Sequence, residues 1–268
     1  MLHDTGYRFK KSLGQHFLKS EKVLDDIVRA AQIKKEDTIF EIGPGTGNLT
    51  RNLLASPAKM IIACEKDDKL YYSLSEKLKV KRLKLIHEDA LLLIPNLVAS
   101  PPLKVVANLP YNIASPAIIS LLSVCPTLPE RLVVMVQKEV AERLVAKPGD
   151  SNRGLLTVFL ELFGGVKIIE KVAKSQFTPP PQVESAVVSI SEIKKPAFKP
   201  KDALKILKLA FAGKRKKIKN SLFSSLQILP KESEAIAQKC GFSLDQRPEE
   251  LTKEQWDCVI DSLNGNLS

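Results

Sequence analysis

Short apolar runs alternate with amphipathic stretches over the first half of the chain. T-I-F-E-I (38–42), M-I-I-A-C (60–64), L-K-L-I (83–86), V-V-A (105–107) and L-V-V-M-V (132–136) are rich in Ile and Val and lack strict alternation. That is the pattern of strands buried on both faces of a parallel sheet. Helical periodicity lies between them, near 49–55, 66–79, 114–123 and 137–146. Such alternation predicts a doubly wound α/β sheet. After residue 150 the order changes. G-L-L-T-V-F-L-E-L-F (154–163) reads as a buried helix. V-K-I-I-E-K-V (166–172) and S-A-V-V-S-I-S (185–191) read as an antiparallel hairpin at the sheet edge, joined by a loop holding F-T-P-P-P (177–181). K-K-P-A-F-K-P-K (194–201) is a proline-spaced linker, followed only by helical signals at 202–212, 215–226, 231–240 and 249–263. Asp202 and Thr252 are predicted helix starts, the second opening a T-x-x-Q capping box with Gln255. The expected division is an α/β domain over 1–193 and a small all-helical domain over 194–268.

Composition narrows the partners. The chain has 268 residues, 44% of them hydrophobic, enough for a sizeable core. No apolar run approaches the roughly 18 residues of a membrane helix. The start, M-L-H-D-T-G-Y-R-F-K-K-S, lacks the apolar region of a signal peptide, although a basic stretch up to Lys19 leaves an organelle transit peptide as an alternative. Cys64, Cys125, Cys240 and Cys258 lie far apart and never in C-x-x-C spacing. With three scattered histidines they predict neither a metal site nor a disulfide framework, and the expectation is a reduced, cytoplasmic protein. Net charge is +11, and its distribution matters more: residues 194–219 hold 11 Lys and Arg against one acid, Asp202. A solvated helix face is the ordinary reading of a charge run. This density repels itself unless a polyanion neutralises it, which points to nucleic acid. A membrane surface fits less well, because no apolar face with Trp or Phe accompanies the charge.

E-I-G-P-G-T-G-N-L-T (41–50) follows the first strand and leads into a helix. Gly43, Gly45 and Gly47 allow a tight turn and a close approach to a ligand. No G-K-[ST] follows, so this is not a P-loop, and the spacing G-x-G-x-G differs from the dinucleotide fingerprint. A tighter loop carrying a proline suits a nucleoside without phosphates, such as S-adenosylmethionine. Glu65 ends the second strand, where folds of this type place an acid against ribose hydroxyls, and Asp89 follows the third strand, placed to accept from an adenine amine. Either acid alone is commonplace in a solvated loop. Together with the glycines they converge on one crevice at the carboxyl ends of the strands.

N-L-P-Y (108–111) ends the fourth strand beside the same crevice. Without that context it would be a turn. An exocyclic aromatic amine is a poor nucleophile, because its lone pair is delocalised into the ring. The Asn108 side-chain oxygen and a carbonyl of Leu109 or Pro110 would accept its two N–H bonds and aim the lone pair at a methyl donor. Tyr111 would stack on the base. Phe177 is either the second face of a base clamp or a core phenylalanine before a rigid loop.

Taken together, these motifs resemble the KsgA family, the adenine-N6 dimethyltransferases of small-subunit ribosomal RNA. The resemblance covers nearly the whole chain. K-K-S-L-G-Q-H-F-L (10–18) is similar to the family's opening motif, E-I-G-P-G-T-G-N-L-T to its cofactor loop and N-L-P-Y-N to its catalytic loop. F-T-P-P-P-Q-V-E-S (177–185) resembles its late motif, and G-K-R-K-K-I-K-N-S-L (213–222) the basic helix of its C-terminal domain. The resemblance implies a Rossmann-like S-adenosylmethionine-dependent methyltransferase fold, mostly parallel with an antiparallel edge hairpin, plus an RNA-binding helical domain. It implies that Gln15, His16, Leu18, Gly43, Gly45, Gly47, Glu65, Lys66, Asp89, Ala90 and Asn108 line the donor site. Asn108, Leu109, Pro110 and Tyr111 would handle the target adenine, with Phe177 opposite. The implied reaction is dimethylation of two adjacent adenosines in the 3′-terminal hairpin loop of small-subunit rRNA, within an immature 30S-type particle, by a monomeric enzyme that needs no metal and leaves S-adenosylhomocysteine. A loop adenosine is partly unstacked already, so extruding it costs little. One departure is Glu88, where the family commonly has glycine.

Three alternatives compete. Large-subunit rRNA dimethyltransferases of the macrolide-resistance type share N-x-P-Y. DNA and protein methyltransferases more often carry D-P-P-Y or N-P-P-Y, and Leu109 argues against them. A non-enzymatic assembly or mitochondrial transcription factor on a degenerate methyltransferase fold would not need an intact glycine loop, Glu65, Asp89 and N-L-P-Y.

Overall fold

The computed structural model of the chain describes residues 16–213 and 215–263. A short strand, β1 (Phe17–Leu18), and helix α1 (Glu21–Ala30) precede the alternation. It then runs β2 (Thr38–Ile42), α2 (Asn48–Ala55), β3 (Met60–Glu65), α3 (Asp68–Lys77), β4 (Leu83–His87), α4 (Ala90–Leu93), β5 (Leu103–Asn108), α5 (Ala114–Ser123), β6 (Arg131–Gln137) and α6 (Lys138–Leu144). Helix α7 (Leu155–Glu161) is followed by β7 (Gly165–Val172), β8 (Phe177–Thr178) and β9 (Ser185–Ser191). The later elements are α8 (Pro200–Ala210), a π-helical turn (Lys219–Phe223), α9 (Pro230–Cys240) and α10 (Lys253–Leu263).

Contacts divide the chain into two compact units, one holding the chain up to Ala141 with Lys167–Ser191, the other Glu142–Val166 with Glu192 onward. In the first, the sheet order is β4-β3-β2-β5-β6-β9-β7. β2, β3, β4, β5 and β6 pair in parallel, and β9 is antiparallel to β6. The two late strands are neighbours at the edge, as the apolar pattern predicts, with β9 inside β7. The fold is therefore the mostly parallel, Rossmann-like sheet expected. Its inner strands are sealed on both faces: Ile39, Phe40, Ile61, Val105, Val106, Val133 and Val134 have no exposed surface. From β4 the chain returns to the far side of β2, so the loops after β2 and β5 part between neighbouring strands. Open α/β sheets hold ligands at such a point.

The opposite end of these strands is locked electrostatically. Lys104 on β5 lies 2.7 Å from the Asp37 carboxylate, with side chains only 6% and 1% exposed. Lys104 Nζ also donates to the Gln32 carbonyl, and Asp37 accepts the Lys34 N–H. Every charge on this buried pair is thus met by a partner, the condition under which burial is tolerated.

Several elements differ from the sequence expectations. α1 was not anticipated, although its signal is plain: Ser20 caps Val23 N–H, and Val23, Leu24 and Ile27 form one buried face. F-T (177–178), expected in a loop, is β8 and pairs antiparallel with β1. The helix expected over 215–226 is a π-helical turn at Lys219–Phe223, and the one over 249–263 is a 3-10 turn at Pro248–Glu250 followed by α10. α8 begins at Pro200, with Asp202 inside its first turn and Lys199 at the N-cap. Proline's fixed φ and missing N–H suit that first position, and Asp202 follows two residues later. The Thr252–Gln255 capping box forms as predicted: each backbone N–H donates to the other residue's side-chain oxygen.

In the second unit, residues 142–166 group with the C-terminal helices, whereas the expected boundary at 193/194 placed them with the sheet. Burial explains the grouping. Val158, Phe159 and Leu160 on α7 are fully buried, and α7 packs on α8 and α10. Arg153 ties the segment down, donating to the Glu249 and Leu251 carbonyls at 3.0 and 2.7 Å and to the Glu161 carboxylate at 2.5 Å. A second correction concerns the cysteines. Cys240 on α9 and Cys258 on α10 form a disulfide, their Cα atoms 5.5 Å apart, whereas none was expected. Spacing rules look for close motifs; here helix packing joins residues 18 apart. Among the described residues, no helix is long and apolar enough to cross a membrane.

Lys104→Ala is expected to destabilise the fold by about 3–5 kcal/mol, because it strands the Asp37 charge in the interior. Urea unfolding against the parent protein measures this, and a loss under about 1 kcal/mol would show the pair to be dispensable.

Candidate active site

Beyond the carboxyl ends of β2, β3, β4 and β5 the first unit has a cleft of about 1070 Å³, counting its open mouth. Its walls include His16, Leu18, Gly43, Gly45, Glu65, Lys66, Asp89, Ala90, Asn108, Leu109, Pro110 and Tyr111. The structure thus brings together all the predicted site residues except three. Gln15 lies outside the described residues. Gly47 does not line the cleft; at φ +80° it caps α2, and a Cβ there would lie 2.6 Å from Leu74. Phe177 does not line the cleft; it is 2% exposed and packs in the apolar core.

The glycine loop is shaped by positive φ and by one carboxylate. Gly43, Gly45 and Gly47 all have φ between 61° and 80°, the left-handed region. Gly43 N–H donates to the Cys64 carbonyl, tying the loop to β3. Gly45 N–H donates to Glu65 Oε2 at 3.0 Å, and Asp67 N–H donates to Oε1 at 2.8 Å. Burial raises the Glu65 pKa and these backbone donors oppose the rise. A Cβ on Gly45 would lie 2.7 Å from the Phe17 ring, so that wall is closed by contact.

At the rim of β4, Asp89 caps α4 through Leu91 N–H and meets Lys66 Nζ at 2.8 Å. The Lys66 ammonium lowers its pKa. Glu88 turns its side chain onto Asp89 N–H at 2.9 Å. Glu88 therefore braces the peptide of the acid beside it.

The N-L-P-Y turn is held from three sides. Asn108 Nδ2 donates to the His16 carbonyl at 3.2 Å, which orients the amide and leaves Oδ1 as the end not engaged there. Pro110 O accepts Ile113 N–H, so of the two carbonyls considered as amine acceptors only that of Leu109 is uncommitted to this turn. The Tyr111 hydroxyl bonds Ser185 Oγ at 2.7 Å, and its ring stacks on His16, centroids 5.7 Å apart. His16 Nδ1–H donates in turn to the Pro179 carbonyl at 2.9 Å. His16, with Pro179 and Ser185 of the late motif, thus forms a scaffold for the N-L-P-Y turn.

One residue was missed as a site residue. Glu41, in the middle of the glycine motif, lines the cleft yet is only 1% exposed, and neither carboxylate oxygen has a hydrogen-bond partner. Burial pushes its carboxyl up to about 8, the Glu65 charge adds to this, and the nearby Thr50 hydroxyl opposes it without a well-aligned bond. The signal was an acid inside T-I-F-E-I, a strand otherwise sealed. Among the described residues, no cluster of three or more His, Cys, Asp or Glu could hold a metal.

In the second unit, Arg215, Lys216, Lys217 and Lys219 are exposed. Lys217 and Lys219 both reach Asp245, at 3.0 and 2.7 Å, and hold its carboxyl down at about 2. That acid was not part of the charge count over 194–219, and it leaves Arg215 and Lys216 as cations outside this cluster.

Sheet topology, glycine loop and strand-end acids together define a Rossmann-like methyltransferase. A family model for "Ribosomal RNA adenine dimethylase" matches residues 6–264. A relative named "Ribosomal RNA small subunit methyltransferase A" from Clostridium botulinum is 38% identical over 267 residues, covering 96% of each chain. The crystal structure of a dimethyladenosine transferase from Plasmodium falciparum superposes with TM-score 0.75 at 28% identity, covering 93% of this chain and 98% of that one. That of the 23S rRNA methyltransferase ErmE gives 0.68 at 26% identity, covering 92% and 99%. The chain belongs to the ribosomal RNA adenine dimethylase family, and it is an rRNA adenine dimethyltransferase.

Gly45→Ala is expected to cost about 1–3 kcal/mol through its positive φ alone, before the contact with Phe17 is counted. Thermal unfolding measures the stability loss, and equilibrium dialysis with the methyl donor should show its binding abolished. Parental donor affinity in this variant would mean the loop does not bound the ligand.

Proposed function

We propose that the chain transfers methyl groups from S-adenosylmethionine to N6 of two adjacent adenosines in the 3′-terminal hairpin loop of small-subunit rRNA, within an immature 30S-type particle. The observation that carries this reading is the locked amide of Asn108 beside the cleft: with Nδ2 on the His16 carbonyl, Oδ1 and the Leu109 carbonyl form a pair of acceptors for one exocyclic amine. The small subunit is favoured because the named relative at 38% identity spans nearly the full length, against 26% for ErmE. Cytoplasmic location and action as a monomer complete the proposal.

The cleft fits the donor. Its loop admits no Cβ at Gly45, and Glu65 and Asp89 line the cleft as the acceptors expected for a ribose and an adenine amine. When bound, the donor supplies an electrophilic methyl on a sulfonium. The chain's own work is positional. Asn108 and Leu109 accept the two N–H bonds of the target amine, turning its lone pair outward. Tyr111, fixed by Ser185, offers a ring face to the flat base. No strong base is required, because the amine proton becomes acidic once the nitrogen carries the methyl and then leaves to water. The basic helical segment holds the RNA backbone and sets position rather than base identity.

Two measurements test this. Asn108→Ala should abolish methylation of small-subunit particles, by 100-fold or more on the order of a lost oxyanion-type contact, while RNA affinity stays within about twofold. Wild-type rates would remove Asn108 from the mechanism. Methylation of large rather than small subunits would favour the ErmE-like reading. Arg215→Ala with Lys216→Ala should weaken RNA binding and lower the slope of log affinity against log salt by about 1 per lost phosphate contact. An unchanged slope would reduce this run to a solvated face.

A further inference from the structure

The cleft carries more negative groups than a neutral ligand needs. Glu41, Glu65, Glu88 and Asp89 line it, against Lys66. Lys66 is turned to Asp89, Glu88 bonds Asp89 N–H, and Glu65 holds two backbone N–H groups. Glu41 alone among these has no partner for either oxygen. It sits 1% exposed on β2 at the root of the glycine loop. The groups that face it are Glu65 from β3, whose charge disfavours its ionisation, and the Thr50 hydroxyl from α2. The neighbouring Cys64 thiol stays neutral for the same reasons, burial first and then the charges of Glu65, Glu88 and Asp89, which push it up to about 12. A buried acid with no partner is stable only as the neutral acid, or as a carboxylate with a cation brought to it.

The donor is that cation and the product is not. S-adenosylmethionine carries one positive charge more than S-adenosylhomocysteine, since methyl transfer leaves the sulfur its electron pair and converts a sulfonium to a sulfide. We propose that Glu41 is a charge-sensing carboxyl: it releases a proton to solvent when the cationic donor binds and regains one when the neutral product takes its place, so the cleft favours fresh donor over spent product. The neutral acid of the empty cleft is consistent with a carboxyl that titrates near 8. This rests on the assignment of the donor made above.

The linkage has a definite sign. Below about 8 the empty protein must lose the Glu41 proton to bind the donor in its best form. Donor affinity therefore rises with pH up to that point and flattens above it, by at most about tenfold per pH unit for one proton. Both ligands carry the same amino acid tail, so the ratio of their affinities cancels the tail's own titration.

The test is calorimetry of the full chain with S-adenosylmethionine and S-adenosylhomocysteine at pH 7, in buffers of differing ionisation enthalpy. About one more proton should be released with the donor than with the product, and the affinity ratio should climb between pH 6 and 8. Glu41→Gln should erase both differences. Equal proton counts for the two ligands, both bound by the parent protein, would overturn the proposal. They would do so even if the variant failed to fold, since that measurement needs only the parent. Binding of neither ligand would instead remove the donor assignment, and this inference with it.

Discussion

The Glu65 carboxylate joins two loops that would otherwise move independently. One oxygen takes the N–H of Gly45, from the loop after β2, and the other takes the N–H of Asp67, at the start of α3. Hydrogen bonds to an ionised acceptor are about twice as strong as neutral ones, and they offset the cost of burying the charge. A glycine loop has no side chains with which to hold itself. Here its backbone is held from the neighbouring strand, and Asp67 in turn caps α3 through Leu70 N–H. The cleft's floor is thus fixed by backbone donors on a single acid, and the residues that touch a ligand stand on that floor.

The N-L-P-Y turn obeys the same logic with a different anchor. Nothing within N-L-P-Y dictates which way the Asn108 amide points. The His16 carbonyl does, and His16 is itself tied to the Pro179 carbonyl and stacked on Tyr111. Ser185, fully buried on β9, fixes the tyrosine hydroxyl. Residues separated by more than 160 positions in sequence therefore orient one side chain. The short β1–β8 pairing brings these motifs together, so a seemingly decorative two-stranded sheet is what makes the turn directional.

The sheet and most of the cleft were legible in the sequence, because buried parallel strands leave unbroken Ile and Val runs and their carboxyl ends carry the acids. What was not legible depended on tertiary partners. Phe177 precedes a rigid proline loop in either reading, and its packing among the core residues is visible only in three dimensions. Residues 142–166 look like another strand-to-helix step until Arg153 is seen donating to Glu249 and Leu251. The Cys240–Cys258 pair exists only because α9 packs against α10. Glu41 was visible as a letter but not as a site, since burial without a partner cannot be read from composition.

Charge sorts the two substrates of such an enzyme. The chain as a whole carries +11, yet the cleft in its first unit is lined by more acids than bases. A cleft lined by more acids than bases repels phosphate and admits a neutral base or a cationic donor. Exposed lysines and arginines elsewhere attract the polyanion at long range, an attraction that fades as salt screens it. The same molecule can therefore concentrate RNA on its surface while keeping the backbone of that RNA out of the site. Only a base, which carries no charge, meets no electrostatic barrier on the way into such a cleft, and an unstacked adenosine presents it with the least distortion of the chain that bears it.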